Sequence, residues 1–316
     1  MPRIAILDDY QDVALKLADW SKLPGGCDLV VFNDHLADEN AIAERLESFE
    51  MVVLNRERTP FRRGLFELLP NLLLLVTFGL RNASIDVEAA TEHGVTVCGT
   101  NTLGYPTSEL TWGLILCLFR NLPGEIQAMR EGAWQQTVGH SLRGKVLGVI
   151  GLGRLGVPVA KIGLAFGMEV IAWSPNLTDD RAREHGATLT SKAELFSRSD
   201  VITIHMPLSD RSRGIIAAED IAQMKETAYL VNTSRGPLVD EPALISALED
   251  NRIAGAGLDV FDVEPLPEAH PLRRMKNAVV TPHIGYVDEE NYRTAFAGVI
   301  EVIQAWLDGK PIRVIT

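Results

Sequence analysis

An apolar strand pattern that runs directly into three spaced glycines constrains the fold of this chain most strongly. Residues 145–156 read KVLGVIGLGRLG, in which Gly151, Gly153 and Gly156 form a G-x-G-x-x-G sequence ahead of a helical pattern that extends to residue 167. In such a turn the first glycine permits a tight bend, the second lets the backbone approach a pyrophosphate, and the third lets helix and strand pack closely. The sequence therefore predicts a parallel α/β domain that binds a dinucleotide.

The residues beyond the second strand of this predicted domain lack an expected acid. A carboxylate about 20 positions after the glycines bonds the adenine ribose hydroxyls in such domains, but Ser174 and Asn176 stand there. Thr178 is predicted to cap a helix with Asp179 and Asp180 in its first turn, although these two acids could instead fold back toward the ribose. Since a carboxylate at this position would repel a 2′-phosphate, its absence predicts a weak preference for NADP(H) over NAD(H).

Short β-rich runs alternate with amphipathic, helix-length segments along both halves of the chain. They fill residues 1–100 and recur from 145 to 281, on either side of a long helical pattern over 107–122. Strands separated by helical segments of this length imply βαβ units and parallel sheets. The predicted fold class is therefore α/β, with two doubly wound parallel-sheet domains, and a last helix is predicted over 289–307.

The break in this alternation predicts the domain organisation. Residues 1–100 plus 285–316 are expected to form a substrate domain, and residues 101–284 the dinucleotide-binding domain. The Pro-Gly pair at 123–124 is predicted to end the long helix and to begin an irregular connector, because neither residue favours a helix interior. The tail at 312–315 is predicted to cross back onto the first domain.

The charge balance narrows the classes of partner. The chain carries 30 Lys and Arg residues against 42 Asp and Glu, a formal net charge of −12, which argues against binding to nucleic acid or to an anionic membrane. No apolar run reaches the ~18 residues of a membrane span, and the N-terminus lacks the apolar stretch of a signal peptide. Because the three cysteines fit neither a disulfide framework nor a zinc site, a cytoplasmic protein without a metal is expected.

Three charged residues stand beyond predicted strands, at the sheet edge where open α/β folds bind ligands. Arg235 follows one strand, Glu264 lies beyond the next and His283 follows the last. A guanidinium can hold a carboxylate through two parallel hydrogen bonds, and a histidine oriented by a carboxylate can donate or accept a proton near neutral pH. Together these groups predict reduction of a 2-keto acid beside a nicotinamide.

Each of these residues also has a purely structural interpretation. Arg235 could be a surface or capping residue, Glu264 a solvated loop acid, and His283 a buried histidine bonded to the backbone. His205 stands at another strand end, where it could approach the cofactor. The other histidines lie in polar or helical contexts and are expected to play no part.

Several motifs together resemble the D-isomer-specific 2-hydroxyacid dehydrogenases, a family that includes D-3-phosphoglycerate dehydrogenase and glyoxylate/hydroxypyruvate reductase. The segments GKVLGVIGLGRLG, HMPLSDRSRGII, NTSRGPLVDEPAL, AGLDVFDVEPLP and TPHIG occur in the family's order and cover nearly the whole chain. The resemblance implies a Rossmann cofactor domain inserted into a flavodoxin-like substrate domain. It also implies hydride transfer between NAD(P)(H) and a small D-2-hydroxy acid or 2-keto acid, and a homodimer formed through an arm at about residues 101–140.

The resemblance also assigns roles to individual residues. Arg235 would hold the substrate carboxylate and polarise the keto group, His283 would be the general acid/base, and Glu264 would orient it. Asp259 would bond the nicotinamide carboxamide. The full set of predicted cofactor-binding residues is Gly151, Gly153, Arg154, Leu155, Gly156, Ser174, Asn176, Met206, Pro207, Thr233 and Asp259.

The predicted substrate-binding residues lie in the first domain. Arg56 matches the family position that assists anionic substrates, and backbone N–H groups at Leu80 and Arg81 would face the substrate carboxylate. Arg81 departs from the small residues that are common in this turn, and Tyr286 departs from the small residue that follows the histidine motif. Two alternatives remain open: an NAD(H)-sensing interaction protein that resembles transcriptional corepressors, and a formate- or phosphite-type dehydrogenase.

Overall fold

Two parallel sheets, each in its own unit, organise the structure. The computed structural model describes residues 2–25 and 27–316. Unit 1 comprises Met1–Leu103 and Val287–Thr316, and unit 2 comprises Gly104–Tyr286. The chain therefore leaves unit 1 and later returns to it, so that unit 2 is an insertion.

Unit 1 is built on a five-stranded parallel sheet. Its strands are β1 (Arg3–Ile6), β2 (Asp28–Val31), β3 (Met51–Leu54), β4 (Leu74–Phe78) and β5 (Thr96–Thr100). The helices between them are α1 (Glu39–Leu46), α2 (Arg63–Leu68) and α3 (Val87–Glu92). The strand order is β2-β1-β3-β4-β5, the flavodoxin-like order. Every residue of β3 and β4 is buried, as is typical of a parallel sheet covered on both faces.

Unit 2 is built on a seven-stranded parallel sheet. Its helices are α4 (Tyr105–Arg120), α5 (Leu122–Arg130), α6 (Gly156–Ala165), α7 (Asp179–Glu184), α8 (Lys192–Arg198), α9 (Ala218–Ile221) and α10 (Glu241–Glu249). Its strands are β6 (Val146–Ile150), β7 (Glu169–Trp173), β8 (Thr188–Leu189), β9 (Val201–Ile204), β10 (Tyr229–Asn232), β11 (Gly255–Leu258) and β12 (Ala278–Val280). The strand order β12-β11-β10-β9-β6-β7-β8 contains the Rossmann arrangement. From β6 the chain adds β7 and β8 on one side and then crosses to add β9 on the other, so that the order of the strands reverses between β6 and β9. The two parallel α/β domains confirm the predicted fold class.

The chain returns to unit 1 through its last helix and its tail. The last helix is α11 (Glu289–Leu307), capped by the Asp288 side chain. The tail then bridges β5 in the antiparallel sense at Cys98 and Val314, and the Ile315 N–H donates to the Val97 carbonyl at 2.8 Å. The prediction that the tail crosses back onto the first domain is confirmed.

The predicted irregular connector after α4 begins as a helix instead. Asn121 adopts a left-handed conformation (φ +46°) and ends α4, and α5 starts immediately after it. Pro123 lies in the first turn of α5, where a missing N–H costs no helical hydrogen bond. The expectation of a loop from 123 was therefore wrong for this stretch. Across the described part of the chain, none of the helices is both long enough and apolar enough to span a bilayer.

Candidate active site

The predicted site residues of unit 2 lie along one edge of its sheet. Following the sheet from β12, His283 comes after β12, Asp259 after β11, Arg235 after β10, Met206 after β9 and Gly151 after β6. Because neighbouring parallel strands end at the same edge, five successive strands bring these residues into one row. The row includes the boundary between β9 and β6, where the order of the strands reverses. Open α/β sheets bind dinucleotides at this place.

The glycine turn after β6 has the geometry of a phosphate cradle. Gly151 has a φ of +93°, and a Cβ at Gly156 would lie 2.1 Å from the Gly151 carbonyl oxygen, so neither position tolerates a side chain. A Cβ at Gly153 would meet open space. Within the described residues, no side chain caps the start of α6 at Leu155, which leaves first-turn N–H groups for an anion. The residues present therefore fit the pyrophosphate of a dinucleotide.

The segment after β7 lies beside this turn. The Gly151 N–H donates to the Trp173 carbonyl at 2.9 Å, so Ser174 directly adjoins the glycine turn. Thr178 caps α7, because its side chain accepts a hydrogen bond from the Arg181 N–H. Asp179 forms an ion pair with Arg183 on the same helix. Asp179 and Asp180 thus lie in the first turn of α7 behind the Thr178 cap, which is the first of the two predicted alternatives for these acids.

The buried Asp259 carboxylate organises the segment that carries His283. Oδ1 accepts hydrogen bonds from Thr281 Oγ1 at 2.6 Å and from the Ile284 N–H at 2.8 Å, while Oδ2 accepts from the Gly285 N–H at 2.8 Å. Burial raises the pKa of Asp259 above its ordinary value, although these hydrogen bonds oppose the shift. The contacts fix the chain on both sides of His283, which has a φ of +52°, a conformation that non-glycine residues rarely adopt.

Sequence reasoning did not find this bracing role of Asp259. The signal was the strand register: Leu258 pairs with Val280, which places Asp259 opposite Thr281. The predicted contact of Asp259 with the nicotinamide carboxamide stays a prediction.

His283 and Glu264 form a direct pair. His283 Nδ1 lies 2.5 Å from Glu264 Oε2, and Glu264 Oε1 accepts the Phe261 N–H at 2.8 Å. The imidazole also meets the Tyr286 ring edge-to-face, with ring centroids 5.6 Å apart. Because Nδ1 contacts the carboxylate, Nε2 is the nitrogen that can exchange a proton with a substrate. Glu264 is therefore not merely a solvated loop acid.

Arg235 extends from a tightly hydrogen-bonded turn after β10. The Asn232 side chain donates to the Arg235 carbonyl at 2.9 Å and accepts from the Ser234 N–H at 3.0 Å. The Arg235 guanidinium donates to the Ser234 carbonyl at 2.6 Å, and Thr233 Oγ1 lies 2.8 Å from Thr111 Oγ1. This turn holds the guanidinium one strand away from Asp259 and two strands away from His283.

A comparison with known protein families identifies this arrangement. The family model described as "D-isomer specific 2-hydroxyacid dehydrogenase, NAD binding domain" matches residues 112–285. The chain belongs to this family. The match confirms the resemblance found in the sequence, and it identifies the cofactor of this family member as a nicotinamide dinucleotide.

Individual relatives agree with this assignment. D-3-phosphoglycerate dehydrogenase of Methanocaldococcus jannaschii is 39% identical over 85% of this chain and 52% of its own length. Hydroxypyruvate reductase of Blautia hydrogenotrophica is 31% identical over 99% of both chains. The crystal structure of phosphoglycerate oxidoreductase from Vibrio cholerae O395 superposes with a TM-score of 0.93, at 38% identity over 98% of this chain and 100% of that one. The chain thus spans about half the length of the M. jannaschii relative.

The predicted substrate-binding residues of this family member lie at the ends of two neighbouring strands of unit 1. Arg56 follows β3 with a φ of +62°, and a Cβ added at Gly79 after β4 would lie 2.7 Å from Arg56 Nη1. Asn82 joins the two loops, because its amide donates to the Arg56 carbonyl at 2.8 Å. Leu80 and Arg81 are exposed at this edge. Among the described residues, no group of three or more His, Cys, Asp or Glu is arranged to hold a metal ion.

The His205 ring is enclosed beside the glycine turn. Its Nε2 lies 2.9 Å from Thr203 Oγ1, and a Cβ at Gly151 would lie 2.6 Å from the His205 carbonyl oxygen. Burial lowers the pKa of His205 to about 3, so the ring is neutral at physiological pH. The predicted approach of His205 to the cofactor stays a prediction.

Acid should therefore destabilise this family member through His205. Below about pH 6.5 the ring takes up a proton in the unfolded chain but not in the folded one, so the free energy of unfolding falls by up to about 1.4 kcal/mol per pH unit. His205→Gln should reduce this slope by that amount in urea unfolding measured from about pH 6.5 to about pH 4.5. The exposed His140→Gln should keep the wild-type slope, and equal slopes for wild type and His205→Gln would contradict the expectation.

Proposed function

We propose that this protein is a nicotinamide-dependent D-2-hydroxyacid dehydrogenase that works as a reductase of small 2-keto acids. The observation that carries the proposal is the His283–Glu264 pair, which stands on the same sheet edge as Arg235 in a unit matched by the family's NAD-binding model. Neither a cofactor-sensing interaction protein nor a formate-type enzyme needs this acid/base pair beside a guanidinium. These alternatives are therefore not favoured.

The residues of the site divide the work of the reaction. A nicotinamide cofactor held at the turn of Gly151, Gly153 and Gly156 would supply the hydride for C2 of the keto acid, or take it up in the reverse direction. Arg235 holds the substrate carboxylate through parallel hydrogen bonds and draws electron density from the keto oxygen. His283 Nε2 gives its proton to that oxygen as the C2–H bond forms. Glu264 stabilises the protonated ring at Nδ1 and fixes its orientation.

The two units take separate parts in this proposal. Unit 2 carries the glycine turn for the dinucleotide together with Arg235 and His283, and unit 1 carries Arg56 beyond β3 and Arg81 beyond β4. Arg56 and Arg81 favour a substrate with a second anionic group, as the names of the matched phosphoglycerate relatives suggest. The net charge of −12 supports a protein that binds neither nucleic acid nor an anionic membrane, and its three free cysteines support a cytoplasmic location.

Replacing the guanidinium tests the function directly. Glyoxylate, hydroxypyruvate and phosphorylated 2-keto acids should be reduced with NADH or NADPH, and Arg235→Lys should lower kcat/KM on the best of them by about 100-fold, or about 2.7 kcal/mol. Lysine keeps the charge but cannot form the planar two-bond contact. Arg198→Lys, at a half-exposed position of α8, is the matched control and should retain wild-type kinetics. No turnover of any 2-keto acid would overturn the function, and wild-type kinetics in Arg235→Lys would remove this residue from the mechanism.

We propose further that the cofactor site weakly prefers NADP(H). Ser174 stands beside the glycine turn in the place of a carboxylate, so nothing at this position repels a 2′-phosphate. Ser174 and Asn176 offer hydrogen-bond donors, and Arg181 lies exposed on the nearby α7. Asp179 is paired with Arg183, which supports the proposal because that acid is held within its helix.

Restoring the acid should reverse this preference. The wild type should prefer NADPH, or discriminate less than about tenfold between the cofactors, and Ser174→Asp should shift the kcat/KM ratio toward NADH by at least about tenfold, or about 1.4 kcal/mol. Ser197→Asp places the same charge at an exposed position of α8 and should leave the ratio unchanged. A wild type that favours NADH more than about tenfold contradicts the proposal. An unchanged ratio in Ser174→Asp would mean that this residue does not face the ribose.

We also propose that the protein is a homodimer formed through the predicted arm at about residues 101–140, of which the segment 122–140 carries exposed apolar side chains. No residue of α5 is buried, and Trp134 and Val138 expose 70% and 95% of their surface. The arm is nevertheless ordered, because Glu125 Oε1 accepts hydrogen bonds from the N–H and hydroxyl of Thr137, each at 2.6 Å. An exposed apolar surface on a preorganised arm is typical of a protein–protein interface.

Charge placed on this arm should separate the subunits. The wild type should sediment as a dimer, whereas Trp134→Asp/Val138→Asp should sediment as a monomer, because two carboxylates would become buried without partners. Leu68→Asp, at an exposed apolar position of α2 in unit 1, is the control and should remain dimeric. A monomeric wild type would contradict the proposal.

A further inference from the structure

We propose that Glu241 and His270, neither of which belongs to the predicted site, are positioning residues that hold Glu264 against His283. The inference deepens the proposed reductase function and rests on it for its kinetic consequence. Its structural basis is the loop at 259–270, which joins β11 to the short 3₁₀ helix Pro271–Arg273 and carries Glu264.

One carboxylate connects the two ends of this loop. Glu241 lies in the first turn of α10, directly after the N-cap residue Asp240. Its Oε2 accepts the Asp262 N–H at 3.3 Å, and its Oε1 lies 3.4 Å from His270 Nε2. The Glu241 and His270 side chains are only 16% and 18% exposed. Glu241 thus bridges residues 262 and 270, with Glu264 between them.

The interior of the loop is held as well. Arg273 Nε donates to the Leu266 carbonyl at 3.2 Å and to the Pro267 carbonyl at 2.9 Å, and the Leu266 and Phe261 side chains are buried in the hydrophobic core of unit 2. With its ends and its middle fixed, the loop sets the backbone position of Glu264. The 2.5 Å contact between Glu264 and His283 requires that position.

The surroundings of Glu241 show that the contacts of Glu241 with Asp262 and His270 lower the stability of the folded state. Burial raises the pKa of Asp262, and the nearby charges of Glu241 and Asp240 raise it further, while Arg213 opposes them. His270 Nδ1 is buried and, among the described residues, has no hydrogen-bond partner. Like charges gathered on one surface and an unpaired ring nitrogen both disfavour folding. The arrangement is explained by what it positions, since the loop bears one half of the acid/base pair.

The kinetic test asks whether both residues act through Glu264. Glu241→Gln and His270→Ala should lower kcat for keto-acid reduction by about tenfold, with the KM for the keto acid changed less than about twofold, because a misplaced carboxylate weakens proton donation more than binding. The alkaline limb of the kcat–pH profile should move to lower pH, as in Glu264→Gln, because the protonated His283 ring loses its stabilising carboxylate. His270→Gln, which keeps an N–H donor, should restore part of kcat.

Two comparisons separate positioning from a general structural effect. In the double variant Glu264→Gln/His270→Ala the alkaline limb should lie where Glu264→Gln alone places it, since residues that act through one contact are not additive. Glu249→Gln, at the exposed far end of α10, is the matched control and should keep the wild-type profile. An unmoved limb in the single variants, or a further shift in the double variant, would overturn the proposal.

NMR of the protein without substrate tests the positioning role of Glu241 independently of any enzymatic activity. The proton between His283 and Glu264 should give a low-field ¹H NMR signal, assigned by its loss in His283→Ala, and Glu241→Gln should move or broaden this signal while Glu249→Gln leaves it in place. An unchanged signal in Glu241→Gln would overturn the positioning role. If the wild type reduces no 2-keto acid, the proposed function fails, while this signal still decides whether Glu241 positions Glu264.

Discussion

The chemistry of unit 2 depends on one buried carboxylate. Asp259 accepts three hydrogen bonds from the segment after β12, at 2.6, 2.8 and 2.8 Å, and hydrogen bonds to a charged group contribute about 1.5–3 kcal/mol each. This contribution offsets the left-handed backbone of His283, a conformation that costs on the order of 1–3 kcal/mol, and part of the cost of burying the charge, since burial still raises the pKa of Asp259. Without Asp259, His283 would follow a three-residue edge strand and would keep its contact with Glu264 and its N–H bond to the Thr281 carbonyl, but not the bonds that hold Ile284 and Gly285.

The parallel sheet extends this local order across the whole site. Each functional segment leaves its strand at the same edge, so the spacing between strands sets the spacing between the groups. The glycine turn after β6 is thereby placed by the backbone hydrogen bonds of the sheet. The His283–Glu264 pair beyond β11 and β12 is held in addition by side-chain contacts, those of Asp259 with the His283 segment and of Glu241 with the Glu264 loop. Rigid elements of this kind position reacting groups better than free loops do.

Much of this organisation could be predicted from particular residues. The run 146–150 is apolar throughout and is followed directly by Gly151 and Gly153. The strand, the turn and the helix after it can therefore be predicted from local chemistry alone. The loop predicted after residue 123 was wrong because Pro123 is as compatible with a helix start as with a helix end. The two-residue strand β8 has too short a pattern to be recognised.

The unpredicted contacts join segments far apart in sequence. Asp259 meets Thr281 only because β11 and β12 pair in one register, and Glu241 meets His270 across 29 positions of chain. His270 was expected to play no part, since a histidine near a proline carries no local sign of a distant carboxylate. Local patterns therefore predicted which groups would react, while the contacts that hold those groups could be found only in the three-dimensional structure.

The bridge between Cys98 and Val314 bears on how the chain is made. During synthesis β5 emerges before unit 2, but its tail partner emerges only after unit 2, since Val314 follows Cys98 by 216 residues. At about 5–20 residues per second, this interval lasts about 10–40 s on the ribosome. For that time the outer edge of β5 lacks its cover, and an uncovered strand edge can pair with another chain. In a nascent chain of this topology, the edge of β5 therefore stays open to pairing until the last residues arrive.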